Sequence, residues 1–172
     1  EAQLLQYARK HPETVVTILR PCTILGPTVK NYKTNWLQWP VILTVMGYDP
    51  LFQVVHEEDA IRALKMALDK DYSGIFNIVG EGIIPLSKVL KLTGKPWIPV
   101  PGPLLYPFTQ LMWYMNFFPA PASRLDFLKY LSVADGERAK KVMGFRAKHT
   151  TIEALKSFIG DQRLREAHLL EN

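Results

Sequence analysis

The chain has 172 residues, 48% of them hydrophobic, and carries 21 Lys+Arg against 16 Asp+Glu for a net charge of +5. That size and apolar content suit one ordinary globular domain and exclude a disordered chain. The basic residues are scattered, with Asp135 and Glu137 diluting even the group from Lys129 to Lys148, so no nucleic-acid-binding stripe is expected. The lone Cys22 excludes an internal disulfide and a multi-cysteine zinc site, and no metal centre is expected. No charged and apolar leader opens the chain, which points to the cytoplasm.

Ala2, Leu4, Leu5 and Ala8 place an apolar stripe on a first helix that begins without a cap, as a cut end would, and stops at Pro12. Residues 14–19 are β-branched and almost continuously apolar, which predicts a strand covered on both faces of a parallel sheet. Pro21, Gly26 and Pro27 then predict a loop beyond that strand's carboxyl end, the place where open α/β sheets bind ligands. Residues 32–46 read as a helix interrupted by Pro40, and residues 47–50 as a turn.

Residues 52–56 predict a short strand that leads into a helix opened by Glu57, Glu58 and Asp59, whose carboxylates suit the positive end of a helix dipole. Residues 74–80 predict a second buried strand, residues 85–92 a short helix, and residues 97–101 an edge strand limited by its prolines. The segment 104–118 is the most apolar in the chain but too short to span a bilayer. Its Leu105, Phe108, Leu111, Met112 and Met115 are expected as the core stripe of an ordinary buried helix, ahead of a lid or subunit contact, with a membrane-surface helix least favoured. Asp135 is placed as an N-cap and Gly144 as a C′ residue, and Thr150 with Glu153 forms a capping-box pattern before the last helix.

Four landmarks in this order resemble the second half of extended short-chain dehydrogenases/reductases of the NAD-dependent epimerase/dehydratase family. They are Leu19-Arg20-Pro21-Cys22-Thr23-Ile24-Leu25-Gly26-Pro27, Val55-His56-Glu57-Glu58-Asp59-Ala60, Phe76-Asn77-Ile78-Val79-Gly80, and Asp135 with Arg138-Ala139-Lys140-Lys141-Val142-Met143-Gly144-Phe145. The resemblance implies an α/β fold: the C-terminal part of a Rossmann-like parallel sheet with an interleaved substrate-binding subdomain. It implies one incomplete domain, with 1–30 and 52–82 Rossmann-like, 31–51 and 83–160 mainly substrate-binding, and 161–172 a polar tail that frays.

The family's glycine-rich fingerprint and Tyr-x-x-x-Lys pair do not occur in this sequence, so no catalytic residue is assigned and the chain alone is expected to be inactive. The resemblance implies NAD or NADP as cofactor, with Pro21, Cys22, Thr23 and Ile24 beside the nicotinamide. His56, Asp59 and Asn77 are read as structural rather than acid/base groups. The resemblance makes Arg124 the candidate diphosphate ligand of a nucleotide sugar. The resemblance also implies an arginine ahead of Val55-His56, where this chain has Phe52. Phe52 and Trp36, with Trp39, Tyr106, Trp113, Tyr114, Phe117 and Phe118, suit a hydrophobic alcohol or carbonyl compound or, equally, an apolar core, so both substrate classes stay open. The expected partners are a small-molecule substrate and the N-terminal half of the parent fold, whose absence would expose a sheet edge, with homo-oligomers left open. The alternative is a non-catalytic binding module, one version of which uses segment 104–118 at a membrane surface.

Overall fold

The structure is a computed structural model that describes residues 1–117 and 122–170, without the side chains of Tyr32, Arg124 and 166–170. The chain is α/β, and its described residues form pairs of short strands flanked by six α-helices. Helix α1 (Ala2–Lys10) ends as expected before Pro12, but none of its residues is buried. Strand β1 (Thr17–Pro21) begins three residues later than the apolar run suggests and is only half-buried, with Val15 exposed.

The segment expected to be a loop instead holds β2 (Thr23–Leu25). Its reason is tertiary: β2 pairs in parallel with β5 (Val54–His56), three residues against three, while β1 pairs in parallel with β6 (Gly74–Ile78). The amide of Cys22, between β1 and β2, donates to the Ile78 carbonyl at 2.9 Å and carries the chain from one pair to the other.

The expected helix over 32–46 is two elements. Helix α2 (Tyr32–Gln38) is opened by Asn31, whose side chain accepts from the Lys33 and Thr34 amides while the Thr34 hydroxyl accepts from the Asn31 amide. Strand β3 (Ile42–Val45) follows Pro40 and pairs in parallel with β8 (Trp97–Val100), the edge strand expected from its prolines. The expected strand over 52–56 is also divided: β4 (Leu51–Phe52) pairs antiparallel with β7 (Ile84–Pro85), and only β5 joins β2.

Helix α3 (Glu57–Asp69) starts at the three acidic residues, and α4 (Leu86–Thr93) closes at Gly94 in the left-handed conformation. A π-helical turn, Ala139–Met143, ends the same way at Gly144, whose φ of 71° is a conformation that side chains with a Cβ disfavour. Asp135 caps the amide of Glu137 at 2.8 Å.

Helix α6 (Thr151–Leu170) opens with the expected capping box: Glu153 N–H donates to the Thr150 hydroxyl and Thr150 N–H donates to the Glu153 carboxylate. The helix does not stop at Gly160 but continues to Leu170, so the segment expected as a frayed tail is helical up to that residue.

Two apolar clusters hold these elements. The larger joins α2, β3, β4, α4 and α6 through Trp36, Ile42, Phe52, Leu90, Leu155 and Phe158. The smaller packs α3 on β6 and the π-helical turn through Ala63, Phe76, Ile78, Met143 and Phe145. Helix α5 (Gly102–Tyr114) buries only Leu105 and Thr109. Phe108, Leu111 and Met115, expected in the core, are about half exposed, at 49, 55 and 53%. No helix among the described residues is long and apolar enough to cross a membrane.

Candidate functional site

The parallel ladders run β1 into the Pro21–Cys22 corner and then into β2, so that four consecutive residues border one open depression of about 530 Å³. Its wall is Pro21, Cys22, Thr23 and Ile24, completed by Val29, Asn31, Lys33 and Ser132. Ser132 arrives from far along the chain because its amide donates to Leu51 and its carbonyl accepts from Gln53, which docks that segment on β4. Asn31 closes the near side by donating from its amide group to the Ile24 carbonyl at 3.3 Å while it caps α2.

Two titratable groups meet here. Burial pushes the Cys22 thiol up to about 11, so it stays protonated at neutral pH and does not act as a nucleophile. Lys33 extends from the first turn of α2 and donates from Nζ to the Thr23 hydroxyl at 2.6 Å, with the Phe127 ring 5.5 Å away. Burial lowers its pKa, with Cys22 acting in the opposite direction. Lys33 and Thr23 also border a second, small apolar cavity of about 20 Å³ with Trp36, Phe52, Phe127 and Leu155.

The other candidates separate. Trp36 and Phe52 are core residues, 4 and 6% exposed, and both meet Phe127 in T-shaped contacts; the indole N–H of Trp36 is committed to the Leu43 carbonyl at 3.0 Å. They lie on the small cavity beneath Lys33 and are absent from the lining of the open depression. Trp113, Tyr114 and Phe117 are at the exposed end of α5, while Phe118 lies outside the described residues. The set of aromatic residues is therefore divided between the core and the outer face of α5. Arg124 falls in a 3-10 helix, Ala122–Leu128, and its side chain is outside the described residues.

His56, Asp59 and Asn77 have structural work. His56 caps α3 by accepting from the Glu58 amide. Asp59, 1% exposed, accepts from Arg62 and from the amides of Lys148 and His149, and meets the His149 ring at 3.1 Å. Burial alone pushes the Asp59 carboxyl up, but these partners outweigh it and bring it down to about 2. Asn77 donates to the Asp135 carbonyl at 2.8 Å. His56, Glu58 and His149 lie close enough together to suggest a metal, yet His56 is engaged by Glu58 and Ser157 and His149 by Asp59.

Sequence reasoning missed Lys33, Asn31, Val29 and Ser132. The Asn31-x-x-Thr34 spacing is a helix-start signal that could have placed Lys33 in a first turn. Ser132 has no local signal, since a contact with β4 brings it in.

No protein-family model matches the chain. It is 30% identical over 158 residues to uncharacterized proteins of Mycobacterium tuberculosis (strain ATCC 25618 / H37Rv) and Mycobacterium bovis, an alignment covering 92% of this chain and 42% of each relative. The chain thus spans less than half the length of the curated relatives it matches. Among solved structures it is similar to the UDP-glucuronic acid 4-epimerase from Bacillus cereus in complex with UDP-glucuronic acid and NAD (TM-score 0.66, 14% identity, 94% of this chain and 49% of that one). It is also similar to RMD from Pseudomonas aeruginosa complexed with NADPH (0.64, 12%, 95% and 53%). A third is the UDP-glucose 4-epimerase from Thermotoga maritima with UDP-glucose (0.61, 18%, 96% and 51%). The chain has the fold of the C-terminal half of Rossmann-like epimerases. The depression opens at the carboxyl end of β1, which pairs in parallel with β6, and open α/β sheets place ligands at that end of their strands.

Proposed function

We propose that the chain is the C-terminal, substrate-binding portion of an NAD(P)-dependent enzyme, an epimerase, dehydratase or dehydrogenase, acting on a nucleotide sugar or a hydrophobic alcohol or carbonyl compound. The observation that carries this reading is the depression at the end of β1, bordered by the four consecutive residues from Pro21 to Ile24. Its size lies within the range of small-molecule sites. The residues fit one wall of a nicotinamide site: Pro21, Cys22 and Ile24 offer short or apolar side chains, and Thr23, Asn31, Lys33 and Ser132 supply the polar groups. The Cys22 amide is already bonded to Ile78, so the carboxamide would take its hydrogen bonds from the neighbouring backbone or the Thr23 hydroxyl.

When bound, the nicotinamide supplies hydride donation and acceptance. This chain's part is to hold and shield the reactants: Pro21, Thr23 and Ile24 bound the ring, and Cys22 fills space as a neutral thiol. The acid/base groups and most of the dinucleotide site belong, in this reading, to the rest of the protein.

A second reading, a non-catalytic binding module that uses α5, is favoured by the exposure of Leu104, Phe108, Leu111, Tyr114 and Phe117 on or just beyond that helix. Calorimetric titration with NAD⁺ and NADPH, of this chain and of the full-length protein that contains it, separates the two. Binding by the full-length protein alone is the expected result. No dinucleotide binding by either would overturn the enzyme reading.

A further inference from the structure

The depression is lined by a lysine, Lys33, that has no acidic partner among the described residues. Among the described residues Lys33 forms no ion pair, and its partners are a hydroxyl at 2.6 Å and an aromatic ring. The Cys22 thiol, the one acidic group among the residues lining the depression, is held protonated and supplies no counter-charge. Contrast Asp59, a buried carboxylate met by a guanidinium, a histidine ring and two amides. A charge withdrawn from water costs free energy unless an opposite charge or several hydrogen bonds compensate it. A hydroxyl and a ring face compensate an ammonium only in part, and Lys33 lines an open space of about 530 Å³.

We propose that Lys33 is a substrate-anchoring residue that binds an anionic oxygen group, a phosphoryl or carboxylate, on the small molecule that enters the depression. The proposal rests on the depression being the ligand site described above and narrows its substrate class to anionic compounds. The backbone amide of Lys33 is held by the Asn31 cap, and the residue borders both the small apolar cavity and the open depression. The apolar floor of Trp36, Phe52 and Phe127 makes the ammonium a stronger electrostatic partner than it would be in water. Thr23 aligns Nζ, so a ligand oxygen meets an oriented donor.

The test uses the full-length protein as wild type, Lys33→Met and Lys33→Arg, with two kinds of titration. Pyrophosphate and glucuronate, as simple phosphoryl and carboxylate probes, are followed by thermal shift, and UDP-glucose, UDP-glucuronate and NAD⁺ by calorimetry. Lys33→Met should weaken the anion it recognises by about tenfold to a hundredfold, and Lys33→Arg should retain most of the affinity. NAD⁺ affinity should change less than threefold. Which simple probe responds tells whether the group is phosphoryl or carboxylate.

Equal affinities in wild type and Lys33→Met for every anion would overturn the proposal. So would loss of NAD⁺ binding alone, which would assign the ammonium to the cofactor. If wild type binds no dinucleotide but pyrophosphate still distinguishes Lys33→Met, the enzyme reading fails while the anion site stands. Methionine fits the apolar stem of lysine, and an unchanged or raised Tm for the ligand-free variant verifies folding; should it misfold, Lys33→Gln takes its place.

Discussion

The junction of β5 with α3 and the depression at the end of β1 lie a few residues apart in the β2–β5 ladder, yet they treat charge in opposite ways. At the junction, Asp59 is almost wholly buried and satisfied four times over, by Arg62, two amides and the His149 ring. In the depression, Lys33 is withdrawn from water with a hydroxyl and a ring for company. A closed set of partners marks a structural clasp, and an open one marks a site whose last partner comes from outside. Both groups have shifted pKa values, so a shift alone does not separate structure from function. The partner inventory does.

The clasp offers the largest effect. Asp59→Ala leaves Arg62, His149 and two amides without their acceptor and should cost about 3–5 kcal/mol in urea unfolding. A cost below 1 kcal/mol would equate the clasp with a surface ion pair. Its pH dependence follows from the sign of the shift. The folded-state pKa is depressed from 3.8 to about 2, so Asp59 stabilises fully above 3.8 and loses that contribution as the pH falls towards 2. The stability difference between wild type and Asp59→Asn should shrink over that acid window and stay flat from pH 5 to 7.

The next effect tests the backbone beside the clasp. A Cβ on Gly80 would overlap the Val54 carbonyl oxygen, and Gly80 also accepts from the buried Gln53 side chain at 2.9 Å. Gly80→Ala should therefore destabilise by about 1–3 kcal/mol, read from the midpoint of urea unfolding. Smaller again is Thr150→Ala, which removes the N-cap of α6 and should cost about 1 kcal/mol. At the bottom of the scale, Lys33→Met without ligand should leave the unfolding midpoint unchanged or raise it slightly. A loss as large as that of Asp59→Ala would make Lys33 a structural group and dissolve the contrast.

What the sequence disclosed follows the range of the interactions. Helices α3 and α6 were legible because their starts are local: three carboxylates in one first turn, and Thr150 with Glu153 three residues on. Strands β1 and β6 were legible from β-branched runs. The β2 strand and the division of residues 52–56 were not, because pairings with residues thirty positions away decide them. Pro40 interrupts the helical pattern, but the change from α2 to β3 depends on pairing with β8, whose own prolines say only that it is an edge. Helix α5 misled in the opposite sense: its apolar residues suggested a core stripe, whereas Phe108, Leu111 and Met115 face outward. In the site, the Pro21 to Ile24 wall came from an ordered set of motifs. Lys33 stayed hidden because a single lysine has no motif until its partners can be counted.

A structure of the full-length protein with NAD⁺ and UDP-glucuronate bound tests the central claim most directly. The account predicts the nicotinamide against Pro21, Cys22, Thr23 and Ile24, with a ligand anionic oxygen at about 2.7–3.0 Å from Lys33 Nζ. A dinucleotide and substrate seated elsewhere, with no ligand oxygen within hydrogen-bond distance of Lys33 Nζ, would contradict it.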